Sequence, residues 1–200
     1  PTQIYPLFLH DALPILGFDR ELPRMEHHNL FFDEPLDQHA REIYDDPKWP
    51  TRPLLYTSCG TKTDPSVAPA GHENMVVLIP IAPGLDGTPE VRERYLQLTL
   101  DRLTRHTGVD LQAHLVLQRS FCINDFVNDY NSFRGNAYGL ANTLTQTAVL
   151  KPRIKSRKVK GLYFTGQLTV PGPGVPPTLI SGQVVADLIE QEHAKHRLRA

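Results

Sequence analysis

The sequence predicts a mixed fold of the α/β to α+β class, and three observations predict it. Short β-branched apolar runs are separated by polar and Pro/Gly-rich breaks. One long segment carries helical spacing between clear capping signals. The chain then closes with an apolar run, a Gly/Pro-rich loop and an amphipathic helical pattern. Strands and helices are interleaved, with no internal repeat or low-complexity tract. At 200 residues, 40% hydrophobic and 22% charged, the composition is that of a globular protein of one domain, or of one and a piece of another.

The elements follow in order. Residues 1–16 read differently from the rest. FLHDALPIL resembles translated sequencing-adaptor sequence, so this segment is set aside as unreliable. The start also lacks an initiator Met, a basic region and a small-residue cleavage site, which leads to the expectation of a fragment, a processed product or an incomplete gene reading. His28 to Phe32 is a short strand. DEPLDQHAREIYDDPKWP is polar and ends in turn signals at Asp46-Pro47 and Trp49-Pro50. Pro53 to Ser58 reads as a strand, CGTKTDPSVAPAGHEN as a loop, and Met75 to Ala82 as the strongest strand. Thr88 to His106 is a helix: Thr88 caps it, Pro89 fits its first position, Glu90 complements its positive start and Gly108 ends it. Leu96, Leu100 and Leu103 recur at helical spacing as core residues. Ala113 to Leu117 is a further strand and Asn124 to Tyr130 a short helix. Ala137 to Leu150 is rich in threonine and ambiguous.

Bulk properties narrow the function. A net charge of −1 without a long basic block argues against nucleic acid. Cys59 and Cys122 share no motif spacing and fit free thiols in a reducing compartment. No run reaches the roughly 18–20 apolar residues that span a bilayer. His27 and His28, adjacent on a strand, would point to opposite faces, and no other pair has ligand spacing, so no metal is expected. His106, His193 and His196 read as solvated residues of helix ends. Asp125, Asp129 and Arg134 are polar neighbours in sequence; a surface network is favoured over proton transfer. Lys151, Arg153, Lys155, Arg157, Lys158 and Lys160 read as a solvated basic loop rather than a lipid contact.

The stretch Gly161 to Ile189 carries the most chemistry. Leu162, Tyr163 and Phe164 form the apolar run of a buried strand. Thr178 is placed to cap a helix starting near Leu179, with Val184, Val185, Leu188 and Ile189 on one face. A strand, a Gly-rich loop and a helix N-terminus together favour an anion. The loop is not GxGxxG, however, and Pro173, Pro176 and Pro177 donate no N–H. What remains is a rigid loop whose donors are Gly174 and Val175, suited to laying a flat ring against backbone.

This stretch resembles the C-terminal flavin-binding segment of the bacterial-type phytoene desaturases, carotenoid desaturases of the flavin amine-oxidase superfamily. Leu162-Tyr163-Phe164-Thr165-Gly166 and Pro171-Gly172-Pro173-Gly174-Val175-Pro176 carry the likeness. It continues through HHNLFFDE, TKTDPSVAPAGHEN, IPIAPGL, the RERY helix and FVNDYNSFRGNAYGLANTLTQTAVLKP, over about residues 25–193. The resemblance implies FAD, with Gly166 and Gln167 near its ribityl–diphosphate region. Gly174, Val175 and Pro176 would lie against the isoalloxazine, a backbone N–H facing its pyrimidine edge and steadying negative charge there. Gln167 departs from the acidic residue common in the superfamily. Gln146 and Thr147 lie in the segment resembling that near flavin and substrate; ordinary packing stands beside that reading. No catalytic residue is assigned.

The family's N-terminal GxGxxG unit is not in this sequence, so the resemblance implies the C-terminal part of a two-domain flavoprotein. Residues 17–150 would form a substrate region with a mixed sheet. Residues 151–200 would hold the last strand and helix of the FAD-binding domain. The implied reaction is desaturation of a C40 precursor, phytoene toward lycopene, with oxygen or a quinone as electron acceptor. The implied location is cytoplasmic, peripheral on the membrane surface, and the isolated piece is expected to be inactive and to hold FAD poorly. A carotenoid oxygenase or isomerase, or a non-catalytic piece binding apolar ligands or a partner, are the alternatives.

Overall fold

A computed structural model describes residues 10–140, 146 and 150–197. They divide into two compact units, one ending at Ala137 and one starting at Tyr138. This break differs from the division at 150/151 expected from sequence.

The first unit is built on a five-stranded antiparallel sheet. Its strands are β1 (His10–Phe18), β2 (His28–Phe31), β3 (Leu55–Ser58), β4 (Glu73–Ile81) and β5 (Leu115–Phe121), in the order β2-β3-β4-β1-β5. Three helices accompany it: α1 (Leu36–Tyr44), α2 (Pro89–Thr107) and α3 (Ile123–Tyr130). β4 explains the layering. Its odd-numbered residues Glu73, Met75, Val77, Ile79 and Ile81 are all buried, while the even ones are less so, the period-2 pattern of a strand with one core face. Tyr95, Leu96, Leu100 and Leu103 of α2 join that core with Leu16 and Phe18 of β1. Each such side chain contributes roughly 1.5–3 kcal/mol when fully buried.

Residues 10–16, set aside on sequence, are the first part of β1, paired to β4 from His10↔Ile81 onward and to β5 from Leu13↔Phe121. Backbone bonds to both neighbouring strands hold β1 in spite of Pro14, which lies opposite Ser120 and can donate none.

α2 follows its signals. Thr88 Oγ1 accepts the Val91 N–H at 3.4 Å, Pro89 opens the helix, and Gly108 closes it at φ 74° with its N–H on Thr104 O. α1 lies in the stretch the sequence reads as merely polar. Its buried face is His39, Glu42 and Ile43, two of them polar, so composition hid the periodicity. Glu42 accepts from Thr51 N and Thr51 Oγ1, each at 2.8 Å. His39 Nδ1 accepts the Leu54 N–H at 3.0 Å, and its Nε2 donates to Pro80 O at 2.7 Å. Arg102 of α2 reaches Pro53 O at 2.5 Å and pairs with Asp33.

Three side-chain expectations resolve here. The rings of His27 and His28 lie 4.2 Å apart instead of on opposite faces, because His27 precedes β2 and escapes strand alternation. Each is engaged separately, His27 with Thr63 Oγ1 at 2.6 Å and His28 with Tyr56 OH at 2.7 Å. Asp125 pairs with Arg92 at 2.6 Å and accepts the Cys122 N–H at 2.7 Å, so it anchors the start of α3. Burial raises both thiols, Cys59 to about 12 with the Glu73 carboxylate adding to the effect.

The second unit contains one long helix, α4 (Val175–Arg197), and a hairpin-like pairing before it. Two corrections belong here. The Leu162-Tyr163-Phe164 run is not a buried strand: it makes a single bridge, Lys155↔Tyr163, and Leu162 and Phe164 stay 40% and 45% exposed. One short neighbouring segment covers only one edge of it. The helix begins at Val175, four residues before Leu179, so Thr178 is inside its first turn, with its N–H on Gly174 O at 3.0 Å. Pro176 and Pro177 fit there because first-turn N–H groups have no helical partner to lose.

Candidate functional site

The loop from Gly166 to Gly174 is tied to α4 by one buried hydroxyl. Ser181 Oγ accepts the Gly166 N–H at 2.7 Å, lies 2.7 Å from Thr165 Oγ1 and donates to Thr178 O at 2.8 Å. Thr169, also buried, closes the first turn of the loop: its N–H and its hydroxyl both reach Gly166 O, at 3.1 and 2.9 Å. These bonds pin Gly166 beside the second turn of α4. In the sequence Ser181 shows only as a small polar residue inside an otherwise apolar helical face.

Gly166, Gly172 and Gly174 have φ of 103°, 137° and 108°, in the region where a side chain is strained. At Gly166 an added Cβ would meet no atom within 4 Å, so the backbone there faces open space. Gly174 caps α4. Among the described residues the N–H groups of Gly174 and Val175 donate to no protein acceptor. Val175 is 75% exposed, and Pro176, Leu179 and Ile180 are exposed beside it. The start of α4 therefore presents two free donors within an apolar surface. Gln167 is half-buried, its Cγ 3.6 Å from where a Cβ on Gly139 would sit.

Two polar atoms of this unit are buried without a hydrogen-bond partner among the described residues: Gln146 Oε1 and Lys151 Nζ. Lys151 is 5% exposed, which corrects the reading of it as part of a solvated basic loop. Arg157, Lys158 and Lys160 are exposed. Lys155 pairs with Glu192, whose Oε2 also accepts from Tyr163 OH at 2.6 Å. That Glu192 bond raises the Lys155 ammonium and the Tyr163 phenol alike. Thr147 lies outside the described residues.

Open backbone at Gly166, two free amides among apolar side chains, and buried polar atoms without a partner among the described residues fit a ligand with a flat apolar face and polar or anionic edges, as FAD has.

The sheet unit holds a second feature. An apolar groove of about 320 Å³ lies between α1 and the face of the sheet opposite α2, lined by Tyr56, Leu78, Pro80, Ile43 and Tyr44. Leu30, Phe32 and Leu36 also line it and are 67%, 63% and 57% exposed. Leu30 and Phe32 border a mixed cavity as well, about 670 Å³, lined by Arg24, Arg105 and His106 together with the acidic Asp33 and Glu34. The sequence marked HNLFF as a strand but gave no sign of the groove, because α1 forms its other wall. No helix among the described residues is long and apolar enough to cross a membrane, and no group of metal-ligating side chains occurs among them.

No family model matches the chain. It is 44% identical over 182 residues to a carotenoid 3,4-desaturase of Haloarcula japonica. It is 33% identical over 185 residues to a 4,4'-diaponeurosporene oxygenase of Staphylococcus aureus, and 32% identical over 183 residues to one of Staphylococcus haemolyticus. The first two alignments each cover 91% of this chain and 37% of the relative, so the chain spans little more than a third of the length of the curated relatives it matches. Along nine-tenths of its own length, then, the chain is similar to proteins named carotenoid 3,4-desaturase and 4,4'-diaponeurosporene oxygenase.

Proposed function

We propose that the protein takes part in FAD-dependent oxidation of a carotenoid or carotenoid precursor, as the C-terminal portion of the enzyme, with desaturation as the reaction. The observation that carries this reading is the loop from Gly166 to Pro176, open at Gly166 and ending in two amides without a partner among the described residues, in a chain similar along 91% of its length to a carotenoid desaturase.

In this reading Gly166 and Gln167 receive the ribityl–diphosphate region, and Gly174, Val175 and Pro176 receive the ring. FAD held there would supply the hydride acceptor that desaturation needs, with oxygen or a quinone as the final electron acceptor. The residues of this chain would position the ring: the Ser181 hub fixes the loop, and the Gly174 and Val175 N–H groups would be the donors to its polar edge. Gln146, with its buried acceptor oxygen, is a candidate contact at the same region; Thr147 keeps the same candidacy from sequence.

The substrate, a C40 polyene such as phytoene, has no charge to grip, so its binding rests on buried apolar area, roughly 25 cal/mol per Å². The apolar groove beside α1 suits such a ligand. Its exposed residues Leu30, Phe32 and Leu36, the first two beside Arg24, Arg105 and His106, suit contact with a membrane surface carrying anionic lipid. We accordingly read the protein as peripheral on the cytoplasmic side.

The test is incubation of the full-length protein with FAD and phytoene in liposomes, followed by mass analysis. Products lighter by pairs of hydrogens are expected. Products heavier by oxygen would favour the oxygenase alternative, in keeping with the staphylococcal relatives. An unchanged substrate pool, with active enzyme of known family as control, would sink both.

A further inference from the structure

Lys151 is given no role of its own in the reading above. Its side chain is buried, yet its ammonium has no hydrogen-bond partner among the described residues. A buried charge without a partner is costly, and a native structure keeps one where something else completes it. The ammonium lies against the loop: a Cβ on Gly172 would come within 3.5 Å of Nζ and 3.4 Å of Cε. Any side chain at 172 would therefore take up the space beside the charge. Two residues on, the helix start is short of donors, because Pro176 and Pro177 carry no N–H and only Gly174 and Val175 remain. The loop is thus short of backbone donors at the place where a buried cation stands.

We propose that Lys151 is the cationic partner of an anionic edge bound at residues 172–174, and that this edge is the pyrimidine side of the flavin ring. The second half rests on the FAD reading. The pyrimidine edge gathers negative charge as the ring takes up electrons, so a fixed ammonium there raises the flavin's affinity for electrons. Gly166, at the far end of the loop, is the end read as receiving the diphosphate, which separates the two roles along the chain.

The experiment uses the full-length protein with Lys151→Met and Lys151→Arg, with and without FAD. Sulfite is the probe, because its adduct with flavin places negative charge on the same edge. Wild type is expected to bind FAD. Lys151→Met is expected to weaken sulfite binding at least about tenfold, with a lower flavin midpoint potential, and Lys151→Arg, which keeps the charge in another shape, to lose less than Lys151→Met. Without FAD, Lys151→Met is expected to melt no lower than wild type, since it removes an unpaired charge. A Lys151→Met protein with wild-type sulfite affinity and potential overturns the proposal, as does one whose FAD-free form is strongly destabilised, which would make Lys151 structural. Weakened FAD affinity with unchanged sulfite binding to the flavin that remains would move the charge to the diphosphate and overturn the assignment to the ring. A wild type that binds no FAD overturns the cofactor reading itself, and this inference with it.

Discussion

At the scale of single residues, two side chains hold more than their size suggests. His39 connects α1 to Leu54 and to Pro80 through one neutral ring, since Nδ1 must be bare to accept and Nε2 protonated to donate. Burial holds its pKa below the ordinary value, outweighing the Pro80 bond and the nearby Glu42 carboxylate, which raise it. A histidine whose folded pKa lies below its unfolded value of about 6.5 stabilises the fold fully above that pH. The contribution is lost as pH falls below it, because the unfolded chain then takes up the proton first. Denaturant titrations are expected to show stability falling below about pH 6.5, with a shallower fall in His39→Gln; identical slopes in the two proteins would refute the assignment. Ser181 is the corresponding hub of the loop unit. Ser181→Ala leaves the Gly166 N–H and Thr165 Oγ1 without their shared partner, at a cost of about 1–3 kcal/mol. It is also expected to loosen flavin binding, measured as flavin retained through gel filtration.

Elements differ in how far they depend on their surroundings. α2 carries its own start and stop, so Thr88→Ala is expected to cost about 1 kcal/mol by chemical denaturation without altering ligand binding. α1 depends on what it packs against. Its Ile43 is buried against the groove that His39 helps to close, and Ile43→Ala is expected to cost about 2–5 kcal/mol, with the apolar ligand site enlarged. Thermal melts with and without a carotenoid ligand would separate the two effects; unchanged ligand-induced stabilisation would argue that the groove is not the substrate site. α4 tolerates two prolines in its first turn for the same reason that it can present two free amides: those positions have no helical partner.

For the whole molecule, the exposed Leu30, Phe32 and Leu36 and the adjoining Arg24 and Arg105 make membrane docking a measurable property. Co-sedimentation with vesicles containing phosphatidylserine is expected for the full-length protein and to weaken with added salt, as surface charge attraction does. The double substitution Leu30→Ser, Phe32→Ser is expected to reduce sedimentation at least about fivefold while leaving flavin content unchanged. Equal sedimentation of both proteins would assign these residues to another contact.

Local chemistry is what the sequence determined by itself. The ends of α2, the core face of β4 around Met75 to Ile81, and the loop of glycines and prolines before the last helix all follow from spacing, capping and backbone freedom, which act within a few residues. Burial was decided only by the tertiary structure. The polar segment Leu36–Tyr44 became a helix because Thr51, Leu54 and Pro80, distant in sequence, satisfy Glu42 and His39. Leu162 and Phe164 stayed exposed because an apolar run is buried only where a second layer covers it. Lys151, indistinguishable in sequence from its basic neighbours, ended beside Gly172 with its charge enclosed. Desolvation and pairing are properties of the groups that meet in space, and those meetings lie beyond what spacing along the chain encodes.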